Sequence, residues 1–316
     1  MVVVGTWNLE NLFRPGGDGP PDQAAYDAKL AALRDTVTAI APDVLAVQEV
    51  GDPAALDDLA ARLGGPWHTA LSQHPDVRGI RVGFLSRLPL TVVADATTLP
   101  AKLAPIQVAD PPAALSDQLG RGALAVEVEP APGVRLTLIT VHLKSKLLSY
   151  PGGRFSPRNE SERARYGAYA LYRRAAEATA VRELATSCLE AGADERVVVL
   201  GDLNDEAAAA TTQILAGPPG SELDTAGFDR SDAGDRRRLW NLAARIPAGE
   251  RYSRVSNGRR ELIDHILVSH ALLAPLPDVH IPHEQDLPSV TGNPATHVGK
   301  PGSDHAPVVA SFPLAG

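Results

Sequence analysis

Val197-Val198-Val199-Leu200-Gly201-Asp202-Leu203-Asn204-Asp205 is the stretch from which the rest of the chain can be read. Four apolar residues, three of them β-branched, form a short strand. Polar side chains follow at once, Asp202 and Asn204 first. In open α/β sheets ligands sit at the carboxyl ends of strands, so this is where chemistry is expected. Working outward, similar apolar runs predict strands at Val2–Asn8, Val44–Glu49, Ile80–Ser86, Ala123–Val128, Leu136–His142, Leu262–Val268 and Ala306–Phe312. Helical spacing predicts helices over Asp22–Ile40, Pro53–Leu63 and Ser161–Ala191, the last ending before Gly192. Strand–helix alternation argues for α/β layers. Neighbouring strands with no helix between them, such as Ala123–Val128 and Leu136–His142, argue for hairpins and therefore a mixed sheet. The stretches Arg14–Pro21, Ala101–Gly120, Leu147–Asn159 and Pro275–Pro301 read as surface loops. None divides the chain into halves of different composition and no repeat is visible, so residues 1–316 are expected to form a single domain.

Composition bounds the function. The chain has 316 residues, of which 44% are hydrophobic and 22% charged, ordinary values for a globular protein. Its formal net charge of −8 excludes a protein that binds nucleic acid by bulk basicity, although a metal ion or a local basic patch could still bring a polyanion in. The single cysteine, Cys188, excludes an internal disulfide framework and a Cys-x-x-Cys zinc site, and reads as a small buried hydrophobe. No apolar run approaches the ~18 residues needed to span a membrane. The N-terminus lacks a basic segment followed by a long apolar one. The expectation is a soluble, cytoplasmic protein without stable membrane insertion, secreted only if a leader was removed from a longer precursor. No protein partner can be inferred.

Polar residues recur at the other strand ends too. They are Asn8 after Val2–Trp7, Glu49 after Val44–Gln48, His142 after Leu136–Val141, Asp264 in Leu262-Ile263-Asp264-His265, and Asp304-His305 before the last strand. One such residue is usually a turn residue, but six segments behaving alike predict a convergent, carboxylate-rich cleft with two histidines, suited to a hard divalent cation. Between His142 and Arg174 lie eight basic residues against two acidic ones, which reads either as a phosphate-binding rim or as a solvated helix face. Lys144, two residues after His142, is expected on the same strand face and is the better phosphate contact. Arg173 and Arg174 read as structural. Arg236-Arg237-Arg238 reads as a solvated run and Trp240 as core. His265, one residue after Asp264, is expected on the opposite sheet face, packed between layers. Zinc readings for His265/His270 and His280/His283 fail, because neither pair matches a His-Glu-x-x-His helix. Nothing supports a role for His297. No phosphate loop or serine-nucleophile elbow is present.

The ordered set Thr6-Trp7-Asn8-Leu9-Glu10-Asn11, Val47-Gln48-Glu49, Thr140-Val141-His142-Leu143, Gly201-Asp202-Leu203-Asn204, Ile263-Asp264-His265-Ile266 and Ser303-Asp304-His305 resembles the endonuclease/exonuclease/phosphatase superfamily. Its members include deoxyribonuclease I, exonuclease III-type nucleases, sphingomyelinases and inositol polyphosphate 5-phosphatases. The resemblance implies a deoxyribonuclease I-like four-layer α/β sandwich, two packed mixed sheets flanked by helices. It also implies a Mg²⁺- or Mn²⁺-dependent phosphoester hydrolase. Carried over by position, Glu49 is the principal metal ligand with Asn8 nearby, and Asp304 is a metal-site or water-orienting carboxylate. Asp202 orients or deprotonates the attacking water, and Asn204 contacts phosphate. His142 and His305 flank the phosphoryl oxygens, and Asp264 aligns His305. Glu10 is a candidate for a second cation, and the His-Leu-Lys-Ser run supports Lys144. The leading expectation is a nuclease acting on DNA or RNA. The rivals are a phosphatase or phosphodiesterase for a small molecule or lipid headgroup and, more remotely, an inactive binding protein that kept the fold. The absence of a membrane-inserting aromatic hairpin counts against a sphingomyelinase.

Overall fold

Alternation along the strands builds two sheets that share one apolar seam. The computed structural model describes residues 1–112, 114–190, 192, 194–282, 287–291 and 300–314. The first sheet runs in the order Asp278–His280, Val308–Phe312, Val2–Leu12, Val44–Val50, Arg81–Ser86, His68–Leu71. The second runs Leu239–Asn241, Asp264–Ser269, Val197–Asp202, Val134–His142, Gln118–Ala131, Thr91–Thr98. Each is antiparallel except for its central pair: Val2–Leu12 lies parallel to Val44–Val50, and Val134–His142 parallel to Val197–Asp202. The sheets are therefore mixed, as the helix-free connections predicted.

Residues at every second position fill the space between the sheets. Val2, Val4, Val44, Ala46, Val82 and Phe84 of the first meet Leu124, Val126, Leu136, Leu138, Val198, Leu200 and Ile266 of the second. The intervening residues face outward onto helices. Trp7, Leu45, Val47 and Leu85 are covered by Tyr26, Leu30, Leu33 and Val37, which recur at helical spacing along Gln23–Ile40. On the far side Ile139, Val141, Val197 and Val199 pack under Ala178, Val181 and Ala185 of the helix Glu160–Leu189. Its N-cap is Asn159, whose side chain accepts from the Glu162 amide at 2.9 Å. Helix, sheet, sheet and helix make the four layers.

Several expectations are corrected in detail. The strand at Thr91–Thr98 was not anticipated, because as an edge strand it exposes Val92 and Val93 and shows no apolar–polar alternation. The stretch 101–120 carries a short strand pair, Ile106–Gln107 with Leu115–Ser116, and the start of a long strand. Within 275–301 lie strands Asp278–His280 and Ser289–Val290. Cys188 is half-buried and packs against the helix-side core. Trp240 is buried, and Arg238 pairs with Asp232 and Asp235. Ala191, His283 and His297 lie outside the described residues. Among the described residues no helix is long and apolar enough to cross a membrane.

Candidate active site

Between the sheets the apolar fill gives way to polar residues at one end, strand by strand. Val4 is followed on its face by Thr6 and Asn8, Ala46 by Gln48, Leu138 by Thr140 and His142, and Leu200 by Asp202, all buried. Gln48 Nε2 bridges the two sheets, donating to Thr6 Oγ1 and Thr140 Oγ1, each at 3.1 Å. One residue further on, Asp202 stands in register between His142 on one neighbouring strand and Asp264 on the other. Asn8 closes the set from the facing sheet, its Nδ2 donating to Asp202 Oδ2 at 3.1 Å.

Glycine lets the central strand pass so close. A Cβ on Gly201 would lie 2.0 Å from the Val141 carbonyl oxygen, and its φ of 148° suits no other residue. Beyond it Asn204 turns into the left-handed region (φ 54°), with its amide N–H donating to Asp202 Oδ1 at 2.8 Å and its Nδ2 to the Leu143 carbonyl at 3.0 Å. Glu49 needs a similar device. Strict alternation after Gln48 would aim it at the helices. A left-handed φ of 61° and a break in register between Val47 and Val50 bring its carboxylate beside Asn8 instead, 3.3 Å from Nδ2. Non-glycine residues in this region cost about 1–3 kcal/mol each and cluster at functional sites.

His305 arrives from the segment before the last strand. Trp7 Nε1 donates to its carbonyl at 2.8 Å, and Ser303 Oγ to that of Asn8 at 2.6 Å. Its Nδ1 donates to Asp264 Oδ2 at 2.7 Å, and that oxygen also accepts from Ser253 Oγ at 2.7 Å. Its Nε2 stands 4.0 Å from Asp202 Oδ2 and 3.9 Å from Asp304 Oδ1. Burial works against the charged ring but is outweighed by Asp264, Asp304 and Asp202, which push the His305 pKa up to about 10. His142, 3.4 Å from the same Asp202 oxygen, goes the other way. Burial and then the cations Arg121, His305, Lys144 and Arg254 hold it well below the usual histidine range. Burial and Asp264 raise Asp202 to about 7, against the lowering effect of His305.

Asn8, Glu49, His142, Asp202, Asn204, Asp304 and His305 line one cleft of about 580 Å³, with Glu10, Arg121 and Arg254. Asp264 lies just beneath, fully buried. Asp202, Asp264 and His305 offer donor atoms within 4.8 Å of one another. Asp264 Oδ2 already bonds His305 and Ser253, and Asp202 bonds Asn8 and the Asn204 amide, while Asp264 Oδ1 is buried without a partner among the described residues. Oxygen donors for a hard cation also face the cleft, in Glu49, Asp304 and Glu10. Burial, then the charges of Asp304 and Glu49, raise Glu10 to about 8, with Lys29 opposing. Such crowding of carboxylates fits a divalent cation.

Lys144 departs from its expected position. The strand ends at His142, so alternation no longer applies. The Lys144 ammonium turns toward the Ser145 and Leu147 carbonyls and lines the adjoining cavity, which shares His142 with the cleft. Burial and the neighbouring Arg173 lower it to about 8. Arg173 bonds Glu177, and Arg174 bonds Asp205 and the Lys144 carbonyl, both structural as read. His265 is buried between Asn241 and the Asp205 carbonyl, away from the cleft. Of the arginines that line the cleft, Arg78, Arg121 and Arg254 went unread. For Arg254 the signal was the hairpin turn Asn257-Gly258 flanked by Arg254 and Arg259.

The four layers and the site at one end of the paired sheets define a deoxyribonuclease I-like fold. The chain belongs to the Endonuclease/Exonuclease/phosphatase family, whose model matches residues 5–305, a family of phosphoester hydrolases. Solved structures agree on the fold. Truncated TDP2 from Caenorhabditis elegans superposes with a TM-score of 0.57 at 16% identity, covering 98% of this chain and 96% of its own. The 3′ phosphatase NExo from Neisseria, bound to a product DNA hairpin, gives 0.56 at 19% identity over 99% and 100%. A mannosyl-6-phosphatase from Bacteroides thetaiotaomicron gives 0.57 at 13% identity over 99% and 100%. No curated protein matches the sequence.

Proposed function

We propose that residues 1–316 act as one unit, a divalent-metal-dependent phosphodiesterase that cleaves nucleic acid by in-line attack of water. The observation that carries this is the meeting of Asp202, His142 and His305, from three separate segments, beside Asn204, Glu49 and Asp304. In this reading Glu49 and Asp304, with Asn8 beside them, hold Mg²⁺ or Mn²⁺. The bound ion would neutralise the phosphoryl oxygens and stabilise the leaving oxyanion. Asp202 orients the water and takes its proton. A carboxylate near pH 7 is a stronger base than an ordinary aspartate, and one backbone N–H and the Asn8 amide fix its direction. The His305 imidazolium, held by Asp264, faces the charge that builds on phosphorus, and neutral His142 stands on the other side of Asp202. Asn204 keeps a second amide hydrogen for a phosphate oxygen, and Lys144 serves a phosphate in the adjoining cavity.

Likeness to TDP2 from Danio rerio complexed with a single-strand DNA product, and to NExo, supports a nucleic-acid substrate. Likeness to the mannosyl-6-phosphatase, together with the protein's acidic balance, favours a second reading, hydrolysis of a small phosphoester. A panel of plasmid, single-stranded DNA, RNA, inositol phosphates and sphingomyelin, with Mg²⁺ or Mn²⁺ against chelator, separates the two. Intact plasmid beside cleaved small phosphoesters decides for the second. No turnover of any member, equally absent in Asp202→Ala and His305→Ala, leaves an inactive binding protein. For the metal role, Glu49→Gln should raise the Mg²⁺ midpoint of activity more than Asn204→Ala does.

A further inference from the structure

Four arginines line the cleft, and three are tied off by carboxylates. Arg78 meets Asp18 at 2.8 Å, Arg121 meets Asp76 at 3.1 Å, and Arg163 meets Glu160 at 2.6 Å. Arg254 differs. Its nearest acidic contact among the described residues is Asp304 Oδ2 at 3.7 Å from Nε, too long for a hydrogen bond. That Nε, like the Nε of Arg121, is buried and has no hydrogen-bond partner among the described residues, but Arg121 is held through its terminal nitrogen by Asp76 and no such short ion pair holds Arg254.

The fold aims this side chain on purpose. Strand Arg254–Ser256 pairs with Arg259–Glu261 across the Asn257-Gly258 turn and with Ser289–Val290 on its other side. Alternation sends Ser253 inward, where its hydroxyl holds Asp264, and Arg254 outward to the cleft. A backbone bridge from Arg254 to His305 fixes the strand against the reacting end. Arg260 of the partner strand rests on the Tyr252 ring at 4.4 Å, steadying the hairpin.

We infer that Arg254 is a substrate-binding residue whose guanidinium grips the non-bridging oxygens of the scissile phosphate, with Asp304 as its loose resting partner. A guanidinium stays charged at any working pH and offers a planar fork that matches phosphate. A buried N–H without an acceptor is unfavourable, and an incoming phosphoryl oxygen supplies the acceptor. Arg78, Arg121 and Arg163 would have to surrender a short ion pair to turn the whole guanidinium fork onto phosphate. The inference rests on the phosphoester reading above and adds to it the group that recognises the anion.

The test separates binding from turnover. Calorimetric titration of the folded, chelator-treated protein with inorganic phosphate should show about tenfold weaker binding for Arg254→Gln, intermediate binding for Arg254→Lys, and wild-type binding for Arg163→Gln. In turnover of bis(p-nitrophenyl) phosphate, Arg254→Ala should lose about 10²-fold in kcat/KM, as removal of one preorganised donor does, and regain part of it with added guanidinium ion. Equal phosphate affinity in wild type and Arg254→Gln, no measurable phosphate binding by wild type, or absence of guanidinium rescue would overturn the inference. If thermal melting shows Arg254→Gln unfolded, the Arg254→Lys titration decides alone, and wild-type affinity there overturns it. A wild type that binds phosphate through Arg254 but hydrolyses nothing would sink the hydrolase reading and leave this one standing.

Discussion

His142 and His305 are buried to the same degree and approach the same oxygen of Asp202, at 3.4 and 4.0 Å, yet they favour opposite charge states. The His305 side of the cleft is walled by carboxylates, and Asp264 at 2.7 Å accepts its proton-bearing nitrogen. The His142 side is walled by Arg121, Lys144 and Arg254, and its Nδ1 has no bonding partner among the described residues. One cleft thus keeps a cation and a neutral ring on either side of one carboxylate. The charge of a buried imidazole is set by what surrounds it, so equal residues need not have equal roles.

The comparison can be broken at four points. Asp202 is common to both sides, so Asp202→Asn should have the largest effect, lowering kcat by about 10³–10⁴-fold whichever histidine is intact. A loss under tenfold in a phosphoester assay would remove Asp202 from the chemistry. Next is Gly201→Ala, which drives a methyl into the strand that carries His142. It should cost roughly 3 kcal/mol in urea unfolding, from overpacking plus backbone strain. An unchanged urea midpoint would mean that the two strands are not held as closely as described.

Asp264→Asn should act on the His305 side alone. The His305 ring would then titrate well below about 10, visible by NMR of its ring protons, and activity at pH 8 should fall by about 10²-fold. Stability carries the same signature. A raised histidine stabilises the fold fully below its ordinary 6.5, and that contribution is lost as pH climbs through about 10. Raised Asp202 adds a loss in the same direction between 3.8 and about 7. Melting temperature of the metal-free protein should therefore decline from pH 6.5 to 8, above which the lowered ammoniums of Lys144 and Lys29 act in the opposite direction, and Asp264→Asn should flatten that decline. A flat wild-type profile would deny His305 its charge. The smallest effect belongs to Lys144→Met, expected to raise KM about tenfold at pH 7, a gap that closes above pH 8 as the wild-type ammonium loses its proton. A pH-independent gap would point to packing instead.

What could be read from the sequence follows the reach of local rules. Asn8, His142 and Asp202 stand where period-two strands stop, so their convergence was legible once two sheets were expected to face one another. Glu49 was legible as a strand-end carboxylate but its direction was not, since alternation alone puts it on the wrong face and a left-handed residue has to turn it back. Lys144 shows the converse, a periodicity argument extended one step past the end of its strand. Arg121 and Arg254 escaped because nothing near Arg121 marks it, and the Asn257-Gly258 turn marks the hairpin of Arg254 without showing which arginine is paired. That depends on Asp76 being close and Asp304 not quite close enough, distances set by segments far away.

The hydrogen bonds that tie Thr6, Gln48 and Thr140 across the sandwich act as a dowel. A shift of one sheet along the other by a residue pair would carry Asn8 off Asp202. Trading the three for apolar side chains of similar bulk should give a protein that melts no lower, and even higher, while turning over sluggishly. Alignment of the halves, more than their adhesion, is what those polar contacts secure.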